Sequence, residues 1–268
     1  MSIKPLHSLI SGVMEGAGAP GLIVSGAVSP HDFALRPSDV RKLNRADIVF
    51  WIGPGLEAGL VKPLAALGEK ARVIGLARVK FMKIRPLGDG PGGGVDPHLW
   101  LDPKNARAVV AVAVAELSAL DPGNAGLYRD NGERLSKRLD NLDLELKLKL
   151  TPIANEPFIV HHDASGYLAD AYGLNLLGFL TRDPDHPLRA GRLRELRRLV
   201  IEEKARCLFK EPGVDNRRLT PVTEGTDVVI AVLDPLGAGL EAGPDMYFNL
   251  LRANADALSQ CLGRRGGG

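Results

Sequence analysis

Cysteine is almost absent from this chain, with only Cys207 and Cys261 in 268 residues. No CxxC, no paired Cys and His spacing and no HExxH occurs, so the common local zinc signatures are missing. Counting alone leaves the two thiols open: both are free and buried, or they form one bridge closing a loop worth roughly 4 kcal/mol by chain entropy. Oxidation would imply an export compartment. No apolar run approaches the ~20 residues needed to span a bilayer, and the start MSIKPLHS has no basic n-region followed by an apolar h-region. A removed leader would leave the same picture, so export stays open. Excess charge is missing too. Lys plus Arg number 34 against 32 Asp plus Glu, which argues against nucleic acid as a partner. Disorder is excluded by a composition that is 45% hydrophobic and 25% charged.

What is present is an alternation of short apolar runs with helical patterns. GLIVSGA (21–27), DIVFWIG (47–53) and ARVIGL read as strands. SDVRKLNRA behind Pro37 and LEAGLVKPLAALGEK read as helices. RPLGDGPGGGV (85–95) has neither period and reads as a surface loop. Its glycines lack the preceding strand and following helix of a phosphate-binding turn. An Ala- and Val-rich helix is expected over 104–120. From 124 to 150, leucines spaced mostly by three or four among many charges predict one long amphipathic helix. A second alternation follows: PFIVH, a helix at 165–172, LNLLGFL, a helix at 188–205, CLFKE, a helix near 216–223, DVVIAVLD and a last helix at 245–262. The arginines of RAGRLRELRR share their segment with leucines at helical spacing, which favours a solvated helix face over a binding patch.

The pattern predicts an α/β protein of two lobes, each with a mostly parallel sheet flanked by helices, joined by one long connector helix. The expected divisions are an N-terminal lobe at 1–122, the connector at 123–150 and a C-terminal lobe at 151–268. A peripheral helix of a single domain is the competing reading of the connector.

Four residues stand out as candidate metal ligands: His31 in SPHDFALRPSDV, His98 in DPHLWLDP, His162 in HHDASGYLAD and Asp234 in AVLDPLG. Ligands collect beyond the carboxyl ends of strands in such sheets, and His31, His162 and Asp234 each follow a predicted strand. Three neutral imidazoles and a carboxylate match a tetrahedral zinc shell at roughly 2.0–2.2 Å. The bland readings are a surface or hydrogen-bonded histidine in each case, and a turn cap for Asp234. His161 and His162 are strand neighbours and point to opposite faces, so only one should reach the site. His7, on a helix pattern, and His186, in DPDHPL, read as structural or exposed.

The segments PHDFALRPSDVRKLNRADIVFWIG, DPHLWLDPKNA, HHDASGYLADAYGL and VLDPLG resemble, in order and spacing over nearly the whole chain, the motifs of the bacterial zinc and manganese solute-binding proteins of ABC importers, the ZnuA-like group. The resemblance implies a periplasmic protein that is not an enzyme. It would bind one zinc ion in a cleft between its lobes through His31, His98, His162 and Asp234, and deliver the ion to a membrane permease. It also implies a Cys207–Cys261 disulfide, as in the zinc-specific branch. The chain is expected to act as a monomer without nucleic acid. Three departures are visible. Pro30 stands where some zinc members have a glutamate, which shifts the fourth ligand to Asp234 or water. The loop before DPHLWL has no histidine. The chain begins at SIKPL, where the family usually has a leader and a first strand.

The rival readings are a manganese-binding member of the same family, a mononuclear zinc hydrolase and a cell-surface adhesin. Three histidines with one carboxylate favour zinc over manganese, which does better with harder oxygen donors. A hydrolase needs a general base near the metal-bound water. The carboxylates adjacent to the proposed ligands, Asp32 and Asp163, should point away as i+1 neighbours.

Overall fold

The computed structural model describes residues 1–25, 29–87, 94–182 and 190–264. The chain divides into two compact units. One comprises Met1–Asp143 and Leu236–Asn249, the other Leu144–Pro235 and Leu250–Gly268.

In the first unit, helix α1 (Lys4–Val13) has Pro at its start, and α2 (Pro37–Asn44) likewise begins on a proline whose fixed φ suits the first helical position. Strands β1 (Ile48–Trp51) and β2 (Arg72–Gly75) pair in parallel, Ile48 opposite Arg72 and Trp51 opposite Gly75. The strand expected over 21–27 does not form as a regular element in its described part, 21–25; residues 26 and 27 lie outside the described residues. Instead single rungs extend the ladder: Ser2 N–H donates to Phe50 O (3.1 Å), Ile23 to Met1 O (3.0 Å) and Val24 to Ser2 O (2.8 Å). The helix expected from LEAGLVKPLAALGEK contracts to α3 (Val61–Ala65) between two 3-10 turns, Ala58–Leu60 and Gly68–Lys70. Pro63 withholds a backbone donor there, and Gly68 adopts a φ of +56° that ends the helical run.

Helix α4 (Pro103–Leu120) and the long α5 (Ala125–Leu150) match their expected positions to within a residue. They approach closely at Gly132, where a Cβ would sit 2.5 Å from Val114 Cγ2. On α5, Leu135, Leu139, Leu142, Leu146 and Leu150 are all buried. Each contributes roughly 1.5–3 kcal/mol of apolar burial, which makes this face the reason the helix docks.

The second unit holds β3 (Phe158–His162), α6 (Gly166–Tyr172), β4 (Leu176–Thr181), α7 (Ala190–Glu202), β5 (Cys207–Lys210), α8 (Thr220–Thr223) and β6 (Val229–Val232), and most of α9 (Met246–Leu262). Its sheet is fully parallel in the order β4-β3-β5-β6. Helix α7 stops at Glu202, short of the expected 205, with Lys204 in the left-handed region at φ 52°. Leu196 and Val200 of α7 pack with Ile159, Leu180, Leu208, Leu219 and Val222 in the core. A disulfide joins Cys207, the first residue of β5, to Cys261 near the end of α9. From β3 the chain passes outward to β4, then returns to lay β5 on the other side of β3. The winding therefore reverses between β3 and β5, and crevices for ligands open at such points beyond the strands' carboxyl ends.

Candidate metal centre

His98 is held by its own neighbourhood in sequence. Two residues upstream, Asp96 folds back so that Oδ1 accepts both the backbone N–H of His98 (3.0 Å) and its ring Nδ1–H (2.9 Å). This is an Asx-type turn. Asp96 is fully buried, and its Oδ2 lies 3.1 Å from the Arg85 guanidinium. Burial by itself would raise the Asp96 carboxyl. The hydrogen bonds and charge of His98, together with Arg85, more than offset it and hold the group below the ordinary carboxylate range. An ionised carboxylate only accepts, so the proton sits on Nδ1 of His98 and the lone pair on Nε2.

The turn after His98 is stiff as well. Asp102 caps α4 by accepting from Lys104 N–H (2.9 Å), and the buried Asn105 amide donates to Lys83 O (2.9 Å) and Leu99 O (3.1 Å). Trp100 is buried edge-on to the His98 ring at 5.4 Å, and its carbonyl accepts the Tyr247 hydroxyl at 2.7 Å. His31 lies on the irregular stretch ahead of α2, with its ring centroid 5.6 Å from that of His98. Its segment passes close to Gly59, where a Cβ would lie 2.3 Å from the Phe33 carbonyl oxygen, so only glycine admits this path.

In the second unit His162 ends β3. Its Nδ1 is 2.6 Å from Oε1 of Glu211, the residue that follows β5. Phe158, Ile159 and Val160 pair with Cys207, Leu208 and Phe209. Continuing that register by two residues sets His162 beside Glu211, at the point where the winding reverses. His161 is fully buried, and among the described residues neither ring nitrogen has a hydrogen-bond partner. Burial pushes its imidazole down to about 4, with Glu211 opposing and Arg218 and His162 adding to the shift, which keeps the ring neutral.

Among the described residues, His31, His98 and His162 form a group whose ligand atoms all lie within 4.8 Å of one another, an arrangement that could hold a metal ion. Asp234 is not in that group. It follows β6, and its backbone is clasped by Asn254, whose Oδ1 accepts the Asp234 N–H (2.9 Å) while Nδ2 donates to the Asp234 carbonyl (2.8 Å). His7 donates from Nε2 to Pro20 O at 3.0 Å inside the first unit, a structural role. His186 lies outside the described residues. The arginines of α7 make local contacts: Arg192 stacks over Phe179 at 4.8 Å and donates to its carbonyl, and Arg197 donates to Glu224 O.

Reading the sequence missed Asp96, Glu211 and Asn254 as supports. Asp96 had a local signal, an Asp two residues ahead of a ligand-type histidine. Glu211 and Asn254 had none, because they meet their partners across 49 and 20 residues.

A family model described as "Zinc-uptake complex component A periplasmic" matches residues 1–261. The chain belongs to the ZnuA family. A relative from Brucella suis biovar 1 (strain 1330), named high-affinity zinc uptake system protein ZnuA, is 35% identical over 304 residues, covering 98% of this chain and 91% of the relative. Among solved structures, a mutant of the laminin-binding adhesin Lmb from Streptococcus agalactiae superimposes with a TM-score of 0.84 at 26% identity, covering 97% of each chain. The periplasmic zinc-binding protein TroA from Treponema pallidum shares the fold, with a TM-score of 0.86 at 22% identity over 98% of each chain. ZnuA-family membership places the chain among periplasmic metal-binding transport proteins and not among enzymes. Among the described residues, no helix is long and apolar enough to cross a membrane.

Proposed function

We propose that this protein captures one zinc ion with His31, His98 and His162, completes the shell with Asp234 or water, and delivers the ion to an ABC permease from the periplasm. The observation that carries this reading is the approach of three imidazoles from separate stretches of chain to within 4.8 Å. Two supports follow from chemistry. Neutral imidazoles suit zinc, and the carboxylates behind His98 and His162 leave the Nε2 lone pairs for the ion. With only one carboxylate proposed in the shell, manganese is disfavoured. We read the working form as a monomer that uses no nucleic acid.

Calorimetric titration of the metal-free protein tests the metal. One zinc per chain, bound more tightly than manganese, is expected; equal or tighter manganese binding overturns the assignment. Deleting the gene tests the role. Poor growth in zinc-limited medium, rescued by added zinc, is expected of an importer component, whereas an adhesin would leave zinc-limited growth unchanged.

A further inference from the structure

The side chains that would touch zinc leave open what holds His162, the candidate ligand at the end of β3. His98 has a partner two residues away; His162 is the last residue of β3, where the preceding His161 points to the opposite face of the strand. The support comes from another strand. β5 pairs with β3 through Val160 opposite Phe209, and the next residues carry Glu211 to His162, with Oε1 2.6 Å from Nδ1. The Glu211 backbone is anchored as well. Lys210, just before it, pairs with β6 and donates from Nζ to Val214 O at 2.5 Å, and the Val214 N–H donates to Glu211 O at 3.3 Å.

We propose that Glu211 is a positioning residue for zinc capture, acting through His162. Resting on the reading of His162 as a ligand, the inference assigns Glu211 two effects. The carboxylate accepts the Nδ1 proton, which selects the tautomer whose Nε2 carries the lone pair. It also fixes the ring plane, so the ion meets an imidazole already aimed. A histidine without such a partner samples both tautomers and several ring orientations, and part of the binding energy is then spent on ordering it. Glu211 stands at the reversal point of the sheet, where a parallel fold leaves a crevice. Its side chain is partly exposed, so changing it disturbs less packing than changing the fully buried Asp96 would.

The test compares wild type with Glu211→Ala, Glu211→Gln, His162→Ala and the Glu211→Ala/His162→Ala double variant. Zinc affinity is measured by competition with a chelator, and thermal unfolding of the metal-free proteins monitors the fold. Glu211→Ala should weaken zinc binding by about 10–100-fold, the usual cost of losing such a partner. Glu211→Gln should recover part of that loss, because its amide oxygen still accepts the Nδ1 proton. In the His162→Ala background, Glu211→Ala should add nothing. Nitrogen-15 NMR of the metal-free protein should show His162 protonated at Nδ1 in wild type and a tautomer mixture in Glu211→Ala, a readout that loss of stability alone does not produce. Wild-type affinity in Glu211→Ala, or an equal loss in both backgrounds, would overturn the proposal. Wild-type affinity in His162→Ala would instead overturn the ligand reading beneath it. Should Glu211→Ala fail to fold, Glu211→Leu, which fills similar volume but accepts no proton, carries the test, and an unchanged affinity and tautomer there would overturn the positioning role.

Discussion

His98 in the first unit and His162 in the second are each gripped at Nδ1 by a carboxylate, yet the two grips are built differently. Asp96 reaches His98 within one turn of chain, is fully buried and is backed by Arg85 at 3.1 Å. Glu211 reaches His162 across 49 residues, and only because β3 and β5 lie side by side in register. The first arrangement is written into three consecutive residues; the second exists only once the sheet has formed. Local support is therefore robust to events elsewhere in its unit, whereas the support of His162 depends on everything that keeps β5 in place, the Cys207–Cys261 bridge included.

The largest effect should come from removing a ligand. His98→Ala should reduce zinc affinity by more than the roughly 10–100-fold cost of losing an outer partner, with the turn retained by the buried Leu99 and Trp100. A chelator-competition titration measures it. Breaking the disulfide by Cys207→Ser/Cys261→Ser should come next. The bridge spans 54 residues, and chain entropy values its loss at about 4 kcal/mol, read from urea unfolding of the oxidised and variant proteins. The comparison sharpens here, because the His162 tautomer signal should blur in the variant while that of His98 should persist. If both signals blurred together, the two grips would not be independent.

Asp96→Ala should cost less stability than the bridge, about 1–3 kcal/mol. It removes the acceptor of the buried His98 backbone N–H as well as that of its ring. Glu211→Ala, at a partly exposed site, should cost less still in unfolding free energy.

A smaller effect depends on pH. Glu57 is buried at the exit of β1, where its carboxylate accepts from Ile52 N–H (3.2 Å) and Gly53 N–H (2.9 Å). Burial outweighs those bonds and raises the group to about 7. The folded protein therefore holds a proton that the unfolded chain releases near 4.5. The contribution to stability is fully present below that pH and is lost as pH rises through 7. Relative to Glu57→Gln, wild type should lose unfolding free energy between pH 5 and 8; parallel profiles would contradict the assignment. The smallest effect on metal should follow from His161→Leu. That ring is buried beside His162 but outside the histidine group, so zinc affinity should hardly change.

Much of this was legible in the sequence for physical reasons that differ by element. The face of α5 shows in its leucine spacing, because a long helix repeats one burial decision many times. The parallel strands of the second unit show as short apolar runs buried on both sides, β3 being buried at all five positions. His31, His98 and His162 stood out through their motifs. What failed to show was tertiary. Residues 21–25 contribute single rungs to Met1 and Ser2, a pairing that no local pattern announces. The helix ahead of β2 was overestimated, because the apolar spacing around Val61 and Leu64 outweighed Pro63 and Gly68 in the sequence but not in the fold. Glu211 was invisible for the deepest reason: its role is set by which strand lies next to β3, and sheet order is not a property of any window of sequence.

The most direct test of the account is a crystal structure of the zinc-loaded protein with anomalous data at the zinc edge. One anomalous peak is expected at roughly 2.0–2.1 Å from a nitrogen of each of His31, His98 and His162, with an oxygen of Asp234 or water in the fourth place. A zinc ion bound by other side chains, or contact with fewer than all three of these imidazoles, would contradict it.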